Sequence, residues 1–268
     1  MSSIISAELF RLGKTKWFWR TLVAFVIIEL LSAVVSVLQI ILFVEDYTAA
    51  GIAADVQSSM LSFVSLSSVA NLFAICCTAA FLSKEITEKT INFALAANKS
   101  RAQIFAAYAV VALIIGGIFW AVSLVSLVAF TLIASGIGSL NAASIVSSLV
   151  CCTFLSIIAM LFAQACTITF TFALKKQSAT IVLSLVTVMF LPGVISTVGS
   201  IVMAICYSEI TSEVYETWIS WMPLVNLQML DPLNLQGGLI AKIASFELLF
   251  LAGLGGLGYL AAVKSQFK

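Results

Sequence analysis

The sequence contains no histidine, and charged residues make up only 9% of its 268 positions. A soluble globular domain has roughly 25% charged residues. The low charge, together with a hydrophobic content of 62%, therefore excludes an ordinary soluble fold. The net charge of +1 gives no indication of nucleic-acid binding, and we expect no nucleic-acid partner.

Signatures of catalysis and of nucleotide binding are also absent from the sequence. It has no Gly-x-Ser-x-Gly motif and no phosphate-binding loop of the form Gly-x4-Gly-Lys-Ser/Thr. The six cysteines lie within or at the ends of apolar runs without metal-ligand spacing, which is typical of small packing residues. We therefore expect no catalytic residue, cofactor or metal in this chain. We also expect no cleavable signal peptide, so that the first apolar run serves as the targeting signal.

Long apolar runs dominate the sequence, and each is long enough to cross a bilayer, which requires about 20 helical residues. They predict an all-α polytopic membrane protein with a single transmembrane domain over residues 1–268. The six predicted transmembrane helices cover about 21–44, 58–82, 102–134, 144–174, 178–206 and 239–263.

Two further segments have membrane-interface patterns. In residues 1–20, Ile5, Leu9 and Leu12 share one helical face and Glu8 and Arg11 the opposite one, which predicts an interfacial helix with its charged face in water. The alternative is a simple basic flank of the first span. Residues 207–238 are aromatic and apolar, and they predict one or two short re-entrant or interfacial helices that stop at the glycine pair 237–238.

The distribution of basic residues predicts the orientation. If the N-terminus is inside, 12 of the 13 basic residues fall in cytoplasmic segments, and only Lys242 falls on the outer side. Such a bias in short loops is typical of the cytoplasmic side. We therefore expect a multi-pass protein of a bacterial cell membrane with both termini in the cytoplasm.

Three residues within the spans are candidates for a transport path or a subunit interface: Glu29, Pro192 and Glu247. A charge at the bilayer centre costs at least ~2.5–3.5 kcal/mol, so each glutamate should face protein or be protonated. A hydrogen bond between helices without a transport role is the alternative. Ala252 and Gly256 form a small-xxx-small pair that predicts close helix packing, either within the subunit or between two copies.

The longest polar interruption runs from Phe81 to Arg101 and holds six of the 25 charged residues (13 basic and 12 acidic). Glu85 and Lys89, spaced i,i+4, predict that the second span continues as a helix into water. Ser100 and Gln103 match a capping box that begins the next helix. The segment thus predicts a cytoplasmic elbow, although an ordinary loop on the headgroups is the alternative. The predicted docking residues are Glu85, Glu88, Lys89, Thr90, Ile91, Phe93, Leu95 and Arg101.

The arrangement F-x3-E-x4-T-x4-L-x4-S-R, formed by Phe81, Glu85, Thr90, Leu95, Ser100 and Arg101, resembles the loop between the second and third spans of ABC-2 type transporter permeases. The motif covers about 25 residues, and the architecture is similar over the whole chain. The size is similar to the small permeases of peptide or antibiotic export and of lantibiotic immunity. Tyr108 stands where many family members have lysine.

The resemblance implies an ATP-driven exporter in which the elbow is a coupling helix. Its expected partners are two copies of an ATP-binding subunit, which would hold the ATP and magnesium, a second permease subunit of the same or a different kind, and membrane lipid. An amphipathic peptide, an antibiotic or a lipid-like molecule is the expected substrate. An ion- or proton-coupled carrier using Glu29 and Glu247 is the alternative, and a membrane scaffold without transport is a third possibility.

Overall fold

The computed structural model describes residues 2–42, 49–65, 68–88, 100–138, 142–190, 194, 197–201 and 237–264, and the regular structure within these ranges is helical. In chain order the helices are α1 (Ser2–Lys14), α2 (Lys16–Leu42), α3 (Ala49–Val64), α4 (Val69–Thr87), α5 (Arg101–Gly138), α6 (Ala142–Leu174), α7 (Gln177–Leu185) and α8 (Gly237–Lys264). A π-helical turn, Val186–Phe190, continues α7.

Five described segments are long and apolar enough to cross a membrane: Lys16–Leu38, Ser58–Thr87, Arg101–Ala134, Ile145–Leu174 and Ala241–Lys264. They correspond to the first four predicted spans and the last. An all-α membrane protein is therefore confirmed at this level.

The fifth predicted span is described only in part. Its nine α-helical residues in α7 and the five-residue π-helical turn are together shorter than the roughly 20 residues that a span needs. Pro192 and residues 202–236, which include most of the predicted re-entrant helices, lie outside the described residues. The fifth predicted span, and with it the total of six spans, therefore stays a prediction. Gly237 and Gly238 begin α8 rather than simply ending a preceding helix.

The second span was expected to be one helix from residue 58, but it is made of two. Helix α3 begins at Ala49, inside the stretch expected to be a loop, and ends at Val64. Helix α4 begins at Val69, after Ser68, whose side chain accepts a hydrogen bond from the backbone N–H of Asn71 at 3.4 Å. Serine hydroxyls compete with helical backbone bonding, which favours an interruption at this serine-rich site.

Helix α5 contacts α1, α2, α3, α4, α6 and α8, and it lies at the centre of the packing. Phe119 of α5 meets Phe25 of α2 edge to face, with ring centroids 5.1 Å apart. Hydrogen bonds join α6 to α4 and α5: Thr78 donates to the Gln164 amide oxygen at 2.8 Å, and the Trp120 indole N–H donates to a serine hydroxyl of α6 at 2.9 Å. Such bonds satisfy polar groups that would otherwise be unpaired in a water-free interior.

Helix α8 packs mainly on α6 through Gly258. A Cβ at Gly258 would lie 2.7 Å from the hydroxyl of Thr169, which itself donates to the Leu254 carbonyl at 3.1 Å. The predicted pair Ala252 and Gly256 is instead exposed on another face of α8. Close packing of α8 within the subunit is thus made at Gly258, two residues after Gly256. Packing of the exposed pair between two copies stays a prediction.

Candidate functional site

The start of the predicted elbow is held by an arginine from α1. Arg11 Nη1 lies 2.5 Å from Glu85 Oε2 and 3.6 Å from Glu8 Oε1, and its Nη2 lies 3.9 Å from Glu88 Oε2. Lys84 pairs with Glu88 at 3.6 Å on the exposed side. We call Glu8, Arg11, Glu85 and Glu88 the elbow base. Because one guanidinium faces three carboxylates, it fixes the end of α4 against α1.

Glu85 was expected to stand on a helical extension in water, and that expectation is wrong. Its side chain is 2% exposed, and the helix ends at Thr87, before Lys89. A carboxylate so buried cannot contribute a large surface to a docking partner. It can support a docking surface indirectly, through Arg11.

The orientation of α1 also differs from the expectation. Glu8 is buried and Arg11 half-buried toward the protein, whereas Phe10 is 65% exposed with the Lys14 ammonium 4.9 Å from its ring centroid. The charged face of α1 therefore packs on α4 and α5, because Glu85 supplies the partner for Arg11. Leu12 is buried as expected from its apolar character.

Burial and the nearby Glu85 raise the pKa of Glu8 from 4.5 to about 7, although Arg11 and a hydrogen bond with Tyr108 act in the opposite direction. One of its carboxyl oxygens, Oε2, has no hydrogen-bond partner within the described part of the chain. Desolvation favours the neutral form of a carboxyl group. The elbow base therefore contains a group that titrates close to neutral pH.

The other end of the elbow is fixed at the start of α5. The Ser100 hydroxyl accepts from the Gln103 N–H, and the Gln103 amide oxygen accepts from the Ser100 N–H, both at 3.2 Å, so the predicted capping box is confirmed. Arg101 Nη1 donates to the backbone carbonyl of Val263 at 2.6 Å, which lies in the last turn of α8. A cation at this helix end is favourable because the last carbonyls carry partial negative charge.

Between these two ends lie residues 89–99, which we call the elbow segment. Lys89, Thr90, Ile91, Phe93 and Leu95 belong to it and lie outside the described residues. Their docking role stays a prediction. Of the predicted docking residues that are described, Glu88 and Arg101 are exposed and Glu85 is buried.

A cavity of about 790 Å³ adjoins the elbow base between α1, α4 and the start of α7. Among its lining side chains, Arg11, Lys14, Lys16 and Lys84 are basic, and Glu85 and Glu88 are acidic. The excess of positive charge favours anionic groups at this position.

Glu29 lies in a second cavity, of about 260 Å³, between α2, α3, α5 and the α3–α4 break. Its Oε1 accepts a hydrogen bond from the hydroxyl of Ser123, a buried residue of α5, at 2.7 Å. We call this the serine cavity. Besides Glu29, its polar lining residues are Ser32, Ser36, Ser59, Ser62, Ser65, Ser68, Ser123 and Ser126.

No protein-family model matches the chain, and no curated protein matches it significantly.

Glu247, the other intramembrane acid, lies on α8 and is 2% exposed, outside the lining of the serine cavity. The structure therefore does not bring Glu29 and Glu247 together in one cavity. Pro192, the third candidate, lies outside the described residues. Within the described ranges no group of three histidine, cysteine, aspartate or glutamate side chains could hold a metal ion.

The sequence predicted Glu29 but missed the serines around it. On α2, Glu29, Ser32 and Ser36 follow i, i+3, i+7 spacing, which places them on one helical face. Ser59, Ser62 and Ser65 repeat every three residues, and Ser123 and Ser126 share a face of α5. These polar stripes within apolar helices were the signal available in the sequence, because polar side chains are unfavourable on a helix face that contacts lipid.

Proposed function

We propose that the chain is the membrane-spanning permease subunit of an ATP-driven exporter of the ABC-2 type. It would work with a separate ATP-binding subunit in two copies and with a second permease subunit. The expected cargo is an amphipathic peptide, an antibiotic or a lipid-like molecule. ATP and magnesium would bind in the partner.

The observation that carries this proposal is the attachment of the elbow segment at both ends. Its first end is held by Arg11 of α1 through Glu85 and Glu88, and its second end is held by the Arg101 contact with α8. Eleven residues connect these two fixed ends, and a partner that binds them could push or pull on both ends. Because α4 and α5 lead directly from these ends into the membrane, displacement of the elbow segment would shift the packing of both helices.

Co-purification tests this proposal. The chain would be expressed with its genomic neighbours and captured from detergent, and the captured material would be assayed for ATP hydrolysis. We expect an ATPase to be retained by the wild-type chain and lost with Leu95→Asp. Ser178→Asp is the matched control because Ser178 is an exposed residue in the first turn of α7, beside the other predicted cytoplasmic loop, and does not line the cavity at the elbow base.

The internal role of Glu85 is separated from direct docking by a double-mutant cycle. If Glu85 acts through Arg11, then Glu85→Ala, Arg11→Ala and the double variant should weaken ATPase retention to the same extent. Absence of any co-purifying ATPase would defeat the permease proposal. An ATPase that stays bound to Leu95→Asp and Glu85→Ala would defeat only the elbow assignment.

The serine cavity favours the second candidate, an ion- or proton-coupled carrier that uses Glu29. The serine hydroxyls offer oxygen ligands, and Glu29 offers a carboxylate, among the membrane-spanning helices. Transport that depends on Glu29 and continues in vesicles without ATP would support this candidate over the first.

A further inference from the structure

The serine cavity contains a carboxylate without a counter-ion. In the described part of the chain no lysine or arginine lies within ion-pair distance of Glu29, and its carboxylate accepts a hydrogen bond from the Ser123 hydroxyl. Ionised carboxylates inside a membrane protein are expensive unless they are paired. The site therefore has an unsatisfied preference for one positive charge.

The serine hydroxyls around Glu29 favour a cation that carries several hydrogen-bond donors. Ser123 lies beside Glu29 at the buried end, whereas Ser32 and Ser62 are exposed at the mouth. Hydroxyl oxygens accept hydrogen bonds from N–H donors at lengths of about 2.7–3.2 Å. A group with several N–H bonds would be accommodated better than a group with one.

The volume of the serine cavity and its apolar lining residues indicate that the ligand is larger than an ion and partly apolar. A volume of about 260 Å³ is far larger than a single bound ion requires and approaches that of small-molecule pockets, which begin at roughly 300 Å³. Phe63, Leu127 and Phe130 line the cavity together with the serines. One molecule that combines a cation with an apolar body would complement both walls.

We propose that the serine cavity binds the primary ammonium group of a small amphiphilic molecule, with Glu29 as counter-ion. The three N–H donors of the ammonium group contact Glu29 and neighbouring serine hydroxyls, and the apolar body lies against Phe63 and Phe130. This binding does not require the proposed ATPase partner.

The test uses the full chain reconstituted in nanodiscs of zwitterionic lipid, with phenethylammonium as the probe in equilibrium dialysis at pH 7. We expect saturable binding. 2-Phenylethanol, the neutral analogue of the probe, should not compete. Charged hydrogen bonds contribute about 1.5–3 kcal/mol, so Glu29→Gln should weaken binding roughly ten- to hundredfold.

Glu247→Gln is the matched control. It removes the other intramembrane carboxylate, which lies outside the cavity, so binding should be unchanged. A second variant tests the cavity independently, in case Glu29→Gln does not fold. Ser36→Leu fills the cavity and should abolish binding, whereas Ser245→Leu, at an exposed serine of α8, should not.

Equal losses in Glu29→Gln and Glu247→Gln would overturn the proposal, since they would indicate a general effect of membrane charge. Binding that survives both Glu29→Gln and Ser36→Leu would overturn it as well. A sodium chloride titration without probe forms the last arm. Saturable sodium binding that depends on Glu29, with no binding of phenethylammonium, would identify an ion site in place of the proposed one.

Discussion

Arg11 joins α1 to a residue of α4 that lies far from it in the sequence. It pairs with Glu85, 74 positions away, and Glu85 is almost completely buried while Arg11 remains partly open to solvent. Loss of one partner from a buried pair leaves an uncompensated charge, whereas an exposed pair contributes little. The stability of the elbow base should therefore depend on Arg11 far more than on Lys84.

We expect Arg11→Ala to destabilise the protein by ~3 kcal/mol, the low end of the range for a broken buried pair. Arg11→Lys should have a smaller effect because it keeps the positive charge beside Glu85, although a single ammonium cannot reach all three carboxylates. Thermal unfolding in detergent measures both. Lys84→Ala is the control and should change stability by less than about 1 kcal/mol. Equal shifts for Arg11→Ala and Lys84→Ala would show that the elbow base is not a stabilising contact.

Glu8 makes the attachment of α1 dependent on pH. Its pKa is raised to about 7 in the folded protein, so the neutral form is the one that folding favours. The contribution is present in full below pH 4.5 and is lost as pH rises through 7. The charged and titratable groups facing Glu8 are Arg11, Glu85 and Tyr108.

Thermal unfolding between pH 5 and 8 is expected to show a decreasing midpoint for the wild-type chain, equivalent to at most roughly 3 kcal/mol. Glu8→Gln should flatten this profile because the amide cannot ionise. Glu88→Gln, at an exposed carboxylate, should retain the wild-type slope. A wild-type slope in Glu8→Gln would assign the pH dependence to another group.

Among the elements, α8 depends on one close approach to α6. The Cβ of an alanine at Gly258 would meet the Thr169 hydroxyl, whose single proton is shared between the Ala165 carbonyl at 2.8 Å and the Leu254 carbonyl at 3.1 Å, so the oxygen cannot easily move. Overpacking of this kind costs typically about 1–3 kcal/mol.

Gly258→Ala should accordingly lower the unfolding midpoint, whereas Gly256→Ala should leave it unchanged or slightly higher. Gly256 has no neighbouring atom within 4 Å of the added Cβ, and alanine favours a helix more than glycine does. The same measurement in lipid nanodiscs removes any effect of the detergent. A destabilised Gly256→Ala would indicate instead that the Ala252–Gly256 face is covered, as a seam between two copies requires.

At the scale of the whole molecule, the predicted orientation places the elbow in the cytoplasm. Ser100 is exposed at the start of α5. Ser100→Cys should react with a membrane-impermeant maleimide in permeabilised cells and not in intact ones. The parent chain is the control for native cysteines, which are buried or half-buried at the five described positions. Labelling in intact cells would reverse the orientation.

Hydropathy alone predicted four of the six spans as single helices, because a run of about 20 apolar residues has few alternatives in a bilayer. It did not predict the α3–α4 break, since Ser65 and Ser68 lie at the two sides of the break without making the stretch polar. The capping box was predictable because its two residues lie three positions apart. The burial of Glu85 was not, because its partner is on α1. The serine cavity required three helices to converge, which spacing within one helix cannot show.

The contact between Arg101 and the Val263 carbonyl should make binding at the elbow segment detectable in α8. It ties the final turn of α8 to the start of α5, so opening of that turn and movement of the elbow are linked equilibria. Amide hydrogen exchange in residues 260–264 would then change when a protein binds the elbow segment, although no binding at α8 is proposed. Because Arg101 is also a predicted docking residue, Arg101→Ala is compared with the wild-type chain at equal occupancy of the elbow segment. Loss of the response under that condition would make the last turn of α8 an internal reporter of coupling.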